Sequence, residues 1–297
     1  RVADTGNPDE NAIAARKART APKKSDLETW FVSREAVDSG LLVPMQTNAS
    51  GTPIFAVPGA DGSVLSLQTL SRAMDGVRPM FAFQAVGLDG TRDPLGSIRE
   101  MAEANIDALA AIRDTRRINL LGHSNGAIVA FEMARLLVKR NVTIERLILV
   151  DCRCPAMAVR SEADEISEAF VNVIYALGGE HQLNVAEFKN VPEADRAEYL
   201  YALMKHNGLE MPHEHFMLAY RLAQANENAC RSYRPEKIKK AFETVVVRAT
   251  QSNGESPPDL GWNRFLPKPA VSLEIDADHL SVIGKEGSAL IAKVFQS

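Results

Sequence analysis

Between residue 53 and residue 150, short runs of nearly unbroken apolar residues alternate with segments of helical periodicity, and this rhythm constrains the fold most. "PIFAV" (53–57), "PMFAFQAV" (79–86), "INLLG" (118–122) and "RLILV" (146–150) read as strands buried on both faces. Between them lie helical patterns at "SVLSLQTLSRAM" (63–74), "GSIREMAEANIDALAAIR" (96–113) and "NGAIVAFEMARLLVKR" (125–140). Apolar strands joined by helices predict an α/β fold with a mostly parallel sheet flanked by helices on both faces. Two more strands are expected late, "TVVVRA" (244–249) and "AVSLEI" (270–275), and a closing helix at "GSALIAKVFQ" (287–296).

Between about 156 and 235 the pattern is helical only. It includes "EISEAFVNVIYAL" (165–177), "ADRAEYLYALMKH" (194–206) and "HEHFMLAYRLAQANENACRSY" (213–233). A helical block inside an alternating fold is expected to be an insertion over the strand ends. Phe170, Val173, Ile174 and Leu177 share one helix face, and Tyr199, Leu200, Leu203 and Met204 share another. Residues 1–25 carry many charges and few large apolar side chains, which suits a linker ahead of a domain at 26–297. The chain starts at Arg1, as expected of a piece of a longer polypeptide.

Bulk properties exclude more than they assign. A net charge of −4 over 297 residues gives no reason to expect nucleic acid as a partner. No apolar run approaches the ~20 residues of a membrane span and no secretory leader is visible, so a cytoplasmic protein is expected. Cys152, Cys154 and Cys230 are too few for a disulfide framework, and "DCRCP" lacks the second pair of a structural zinc site. No metal is expected.

The chemistry points to one turn. "GHSNG" (122–126) is too short a pattern to carry an assignment alone, but it lies between a predicted strand and a predicted helix. That is the setting of a nucleophile elbow, in which a strained turn projects the serine hydroxyl above the sheet. Ser124 is therefore the candidate nucleophile, with Gly122 and Gly126 small because strand and helix pass close. A hydroxyl needs a base. Of the histidines 123, 181, 206, 213, 215 and 279, His279 follows the last strand, so its loop reaches the same sheet edge. His123 adjoins the serine and points elsewhere, His181 and His206 fall in the helical block, and His213 and His215 do not share a helix face.

The acid that orients the base is expected at another strand end. Asp151 follows "LILV" directly, ahead of Asp259, Asp276 and Asp278 as alternatives. The order Ser124, Asp151, His279 is the chain order of α/β-hydrolases. Backbone N–H groups of Asn125, at a helix start, and of Ala60, in "VPGADG", are the candidate oxyanion donors, with Asp61 the neighbour of the second.

These residues resemble the thioesterase domains of polyketide synthases and nonribosomal peptide synthetases, over about residues 40–297. The resemblance rests on "IFAVPGADGSVLSLQTLSRAM", "LLGHSNGAIVAFEMARLL", "LILVD", "LGW" (260–262) and "DHLSVI" (278–283). It implies an α/β-hydrolase fold with a helical lid over an acyl chamber. It further implies an acyl or peptidyl carrier protein as partner, delivering a polyketide or peptide chain on its phosphopantetheine arm, with no bound cofactor. Release from Ser124 would go to water or to an internal nucleophile, giving hydrolysis or cyclisation. In the family the terminal type carries its acid on the strand after the elbow helix, where Asp151 stands. Editing (type II) enzymes carry it after the following strand, where "RATQSNG" has no acid, although Ala127 in "SNGA" resembles the editing type. A general ester hydrolase and a non-catalytic binding protein of the same fold are the other readings.

Overall fold

The computed structural model describes residues 30–32, 40–157, 188, 190–208 and 210–296. The expected linker, His181 and the predicted helix at 165–177, with Phe170, Val173, Ile174 and Leu177, lie outside them.

Seven strands form one sheet: β1 (Leu42–Gln46), β2 (Ile54–Val57), β3 (Met80–Phe83), β4 (Arg117–His123), β5 (Thr143–Val150), β6 (Glu243–Ala249) and β7 (Val271–Ile275). Their order is β1-β3-β2-β4-β5-β6-β7, with β1 antiparallel to β3 and every other pair parallel. The described helices are α1 (Gln68–Ala73), α2 (Ile98–Ala108), α3 (Asn125–Lys139), α4 (Arg196–His206), α5 (His213–Ser232) and α6 (Lys285–Lys293), besides single turns.

Strand side chains alternate between two cores, because successive residues point to opposite faces. Phe55, Phe81, Leu120 and Leu149 join the core under α2 and α3, and Ile54, Ala56, Leu121, Ile148 and Val150 the core under α1 and α6. Both faces are covered, which is why the strands read as unbroken apolar runs. Ser97 begins α2 by accepting from the Glu100 N–H at 3.2 Å, while the Glu100 carboxylate accepts from Ser97 Oγ at 3.0 Å. This is a variant of the capping box, in which the Glu100 carboxylate reaches the Ser97 hydroxyl and the Gly96 N–H rather than the Ser97 N–H.

The described part of the helical block is α4 and α5. Leu200 and Met204 pack with Phe188, Phe216 and Tyr220 into a third, separate core, against which Tyr199 and Leu203 are partly buried. These faces therefore pack on their neighbouring helices.

The register sets the level of the functional edge. Val57 pairs with Gly122, His123 with Val150, and Val150 with Val247. The carboxyl ends of β2, β4, β5 and β6 thus lie side by side, and the residues that follow leave the sheet at one edge. Chain order reverses between β2 and β4, where open parallel sheets form their crevice.

Candidate active site

Ser124 stands between β4 and α3 with φ 54° and ψ −133°, a backbone conformation costly for any residue with a side chain. Two glycines make the turn possible. A Cβ on Gly122 would come within 2.2 Å of the Gly126 carbonyl oxygen, and one on Gly126 within 2.2 Å of the Pro58 oxygen. The Ser124 N–H donates to the Val150 carbonyl at 2.9 Å, fastening the turn to β5.

Serine is a preferred helix N-cap, yet here the side chain makes no capping bond. Its Oγ lies 2.9 Å from His279 Nε2 instead. The first N–H groups of α3, which begins at Asn125, have no carbonyl partner within the helix and make up the positive end of its dipole. Gly59 brings the turn after β2 against the elbow, its α-carbon so placed that a Cβ would lie 3.4 Å from the Cβ of Ser124. Ala60, next to it, is buried. The Asp61 carboxyl in the same turn is pushed up to about 6 by burial, against lowering hydrogen bonds from Ser63 and Gly62.

His279 Nδ1 lies 2.8 Å from Asp151 Oδ2. Asp151 is buried, and its other oxygen accepts from the Ala249 N–H at 2.7 Å and from the side-chain amide of Asn253. Its backbone is strained too, at φ 50°, and its N–H donates to Val247 at 2.8 Å. The structure thus brings Ser124, Asp151 and His279 into one hydrogen-bonded line from three strand ends.

The other acids hold loops. Asp278 Oδ1 accepts from the N–H groups of Leu280 (2.9 Å) and Ser281 (2.8 Å), shaping the loop that carries His279. Asp276 accepts from the Gln251 amide, and Asp259 from the Asn263 N–H. Among the other described histidines, His213 pairs with Glu198 at 2.7 Å and His123 is buried beneath His279. Among the described residues no group of three or more His, Cys, Asp or Glu could hold a metal ion, and no helix is long and apolar enough to cross a membrane.

A family model, the thioesterase domain, matches residues 52–283. The chain belongs to this thioesterase family. Membership implies hydrolase activity, and the fold is that of the α/β-hydrolases. Indigoidine synthase of Dickeya dadantii is 28% identical over 163 residues, which are 53% of this chain and 11% of the synthase. The chain therefore spans about a tenth of that relative. Among solved structures, the four-domain nonribosomal peptide synthetase holo-AB3403 superposes with a TM-score of 0.74 at 20% identity, covering 86% of this chain and 20% of that one. YbtT, a type II thioesterase from the yersiniabactin pathway, gives 0.60 at 21% identity, covering 86% and 97%.

Three further residues brace the thioesterase elbow, and of these Asn253 carries no sequence signal. Asn253 reaches Asp151 from the single helical turn after β6. His123 Nε2 donates to the His279 carbonyl at 3.1 Å, and the two rings stack with centroids 5.1 Å apart. Trp262 of "LGW" donates from Nε1 to the Cys152 carbonyl at 2.7 Å, holding the chain just after Asp151. A pocket with about 520 Å³ of empty space, part of it open to solvent, lies beside the elbow, with Val57, Phe83, Met101, Val129, Asn125 and Asn226 on its walls.

Proposed function

We propose that this thioesterase releases an acyl chain from the phosphopantetheine thioester of a carrier protein through an acyl-Ser124 intermediate. The observation that carries the reading is the hydrogen-bonded line from Ser124 Oγ through His279 to the buried Asp151. In this reading His279 Nε2 takes the Ser124 proton as Oγ attacks the thioester carbonyl. The N–H groups of Asn125 and Ala60 receive the developing oxyanion. Collapse breaks the C–S bond, and the leaving thiolate takes the proton from His279. Water or a nucleophile of the acyl chain, deprotonated by His279, then attacks the acyl-serine ester. The proton passes to Ser124 Oγ as that bond breaks.

The terminal role is preferred because the acid follows β5 directly, and because the similar indigoidine synthase is a far longer chain of which the match is one part. Ala127 favours the editing role as the second reading. In both, a carrier protein is the partner and the phosphopantetheine arm belongs to the substrate.

The test is turnover of a panel of acyl N-acetylcysteamine thioesters, with products scored as acid or ring. Ser124→Ala should be inactive with an unchanged melting temperature, and a fluorophosphonate should label the parent on Ser124. Asp151→Asn should lower kcat by up to about 10⁴-fold through the wrong imidazole tautomer. Activity surviving in Ser124→Ala would overturn the acyl-serine reading, and rings among the products would favour the terminal role.

A further inference from the structure

Helix α5 does more than pack on α4. Its buried Asn226 sends the side-chain amide to the Ala60 carbonyl at 2.9 Å, a contact across 166 residues of sequence. The next residue, Glu227, accepts from the side-chain amide of Asn125 at 3.3 Å and pairs with Arg231 at 3.5 Å. Two consecutive residues of one helix thus hold the two backbone segments that flank Ser124. Leu222, one turn earlier, closes over the same turn: a Cβ on Gly62 would lie 2.8 Å from its Cδ2.

The peptide geometry gives these contacts a consequence. The Gly59 carbonyl accepts from the Gly62 N–H at 3.0 Å, closing the turn. In a planar trans peptide the N–H points opposite to the C=O. The N–H of Ala60 is therefore turned out of the turn by the bond that its partner carbonyl makes inside it. The following peptide, from the Ala60 carbonyl to the Asp61 N–H, is anchored by Asn226, and two peptides further on the Gly62 carbonyl accepts from the Ala85 N–H at 3.0 Å. Without Asn226, the Ala60 carbonyl would lose a buried partner; its peptide could rotate to regain one and, through the shared Ala60 Cα, would displace the Ala60 N–H.

We propose that Asn226 is a positioning residue, which fixes the Ala60 N–H as an oxyanion donor and so makes the rate of acyl transfer depend on the seating of α5. The inference rests on the acyl-serine reading above. A preorganised donor acts in the transition state and little in the ground state, so its loosening lowers kcat and leaves KM nearly unchanged.

The experiment uses the full chain with Asn226→Asp, which has the same shape but no donor, and Asn226→Ala, which removes the amide altogether. Hydrolysis of butanoyl N-acetylcysteamine thioester and the rate of Ser124 phosphonylation by a fluorophosphonate are followed, with melting temperature and far-UV circular dichroism as controls. The expected result is a fall in kcat of about 10–100-fold, below the loss from deleting a donor outright. KM should stay within twofold, and phosphonylation should slow in proportion. A kcat within twofold of the parent, a rise in KM at constant kcat, or a loss that tracks the unfolded fraction would overturn the proposal. Ser124→Ala separates the two levels. If it is inactive while the Asn226 variants match the parent, only this inference falls; if it turns over, the reading beneath it falls as well.

Discussion

The imidazole of His123 is neutral in the fold for reasons that its neighbours supply. Burial, and after it the adjacent His279 ring, push it down to about 4, while its bond to the His279 carbonyl and the nearby Asp151 act the other way. Because the carbonyl only accepts, Nε2 carries the proton, and the ring braces the backbone of His279 from below. The linkage has a definite sign. Between pH 6.5 and about 4 the unfolded chain binds a proton at this histidine that the folded chain refuses, so stability falls as the pH falls through that window. In His123→Asn, which keeps a donor but does not titrate, this component is absent. The melting temperature of the parent should drop more steeply than that of the variant from pH 6.5 to 4, measured by circular dichroism. Parallel curves would show that His123 is not held neutral. At this scale, position along the chain tells much: Ser124, Asp151 and His279 each follow a strand that the apolar pattern reveals, and the three come together at one edge. Asn253 and Asn226 have no such signal, because each acts through a contact about 100 residues or more away and a single asparagine in a helix has no motif.

At the scale of elements, α3 carries the elbow at its start and a buried ionic cluster farther along. Glu132 and Arg135 are both nearly inaccessible and meet in a two-bond pair at 2.7 and 2.6 Å. Tyr233, at the end of α5, donates to Glu132 at 2.7 Å, and Glu236 accepts from Arg135 at 2.7 Å. This cluster ties the elbow helix to the segment leaving α5, so the two elements that meet at Asn125 and Glu227 are joined again near their far ends. Removing one partner of a buried pair strands the other charge. Arg135→Met should cost about 3–5 kcal/mol by urea denaturation, and the double variant Arg135→Met/Glu132→Leu should recover a large part of it. A single variant as stable as the double would mean that the pair is not buried as described. The apolar alternation made the central strands and α2, α3 and α5 legible to within a few residues. It did not disclose β1, whose "LVPMQ" carries a proline that only an edge strand tolerates. Strand β3 is shorter than its apolar run, because the chain turns away after Phe83 to wrap the pocket.

Across the whole molecule, the pocket lies where five segments converge beside the elbow: the end of β2 with the turn after it, the end of β3 with the chain after it, α2, α3 and α5. Its walls are mostly apolar, with Val57, Phe83, Met101 and Val129, and the amides of Asn125 and Asn226 stand on the same lining. Such a lining suits an acyl chain that leaves its carbonyl at the elbow and buries its carbon skeleton away from water. Size selection then follows from how far the chain reaches past Ser124. The family resemblance implied an acyl chamber but not its walls, because these come from segments far apart that only the packed sheet brings together. Val129→Phe on α3 and Met101→Trp on α2 each push bulk into the pocket from a rigid helix. For decanoyl thioesters, kcat/KM should fall about tenfold or more, since a displaced chain loses the burial of several methylenes at about 0.8 kcal/mol each. Acetyl thioesters, which carry a single methyl beyond the carbonyl and so bury little apolar surface, should change by less than about threefold. The measurement is the ratio of kcat/KM for the two thioesters in each variant and in the parent. An unchanged ratio in both would mean that the acyl chain lies elsewhere, and that the convergence of these five segments serves only to seat the elbow.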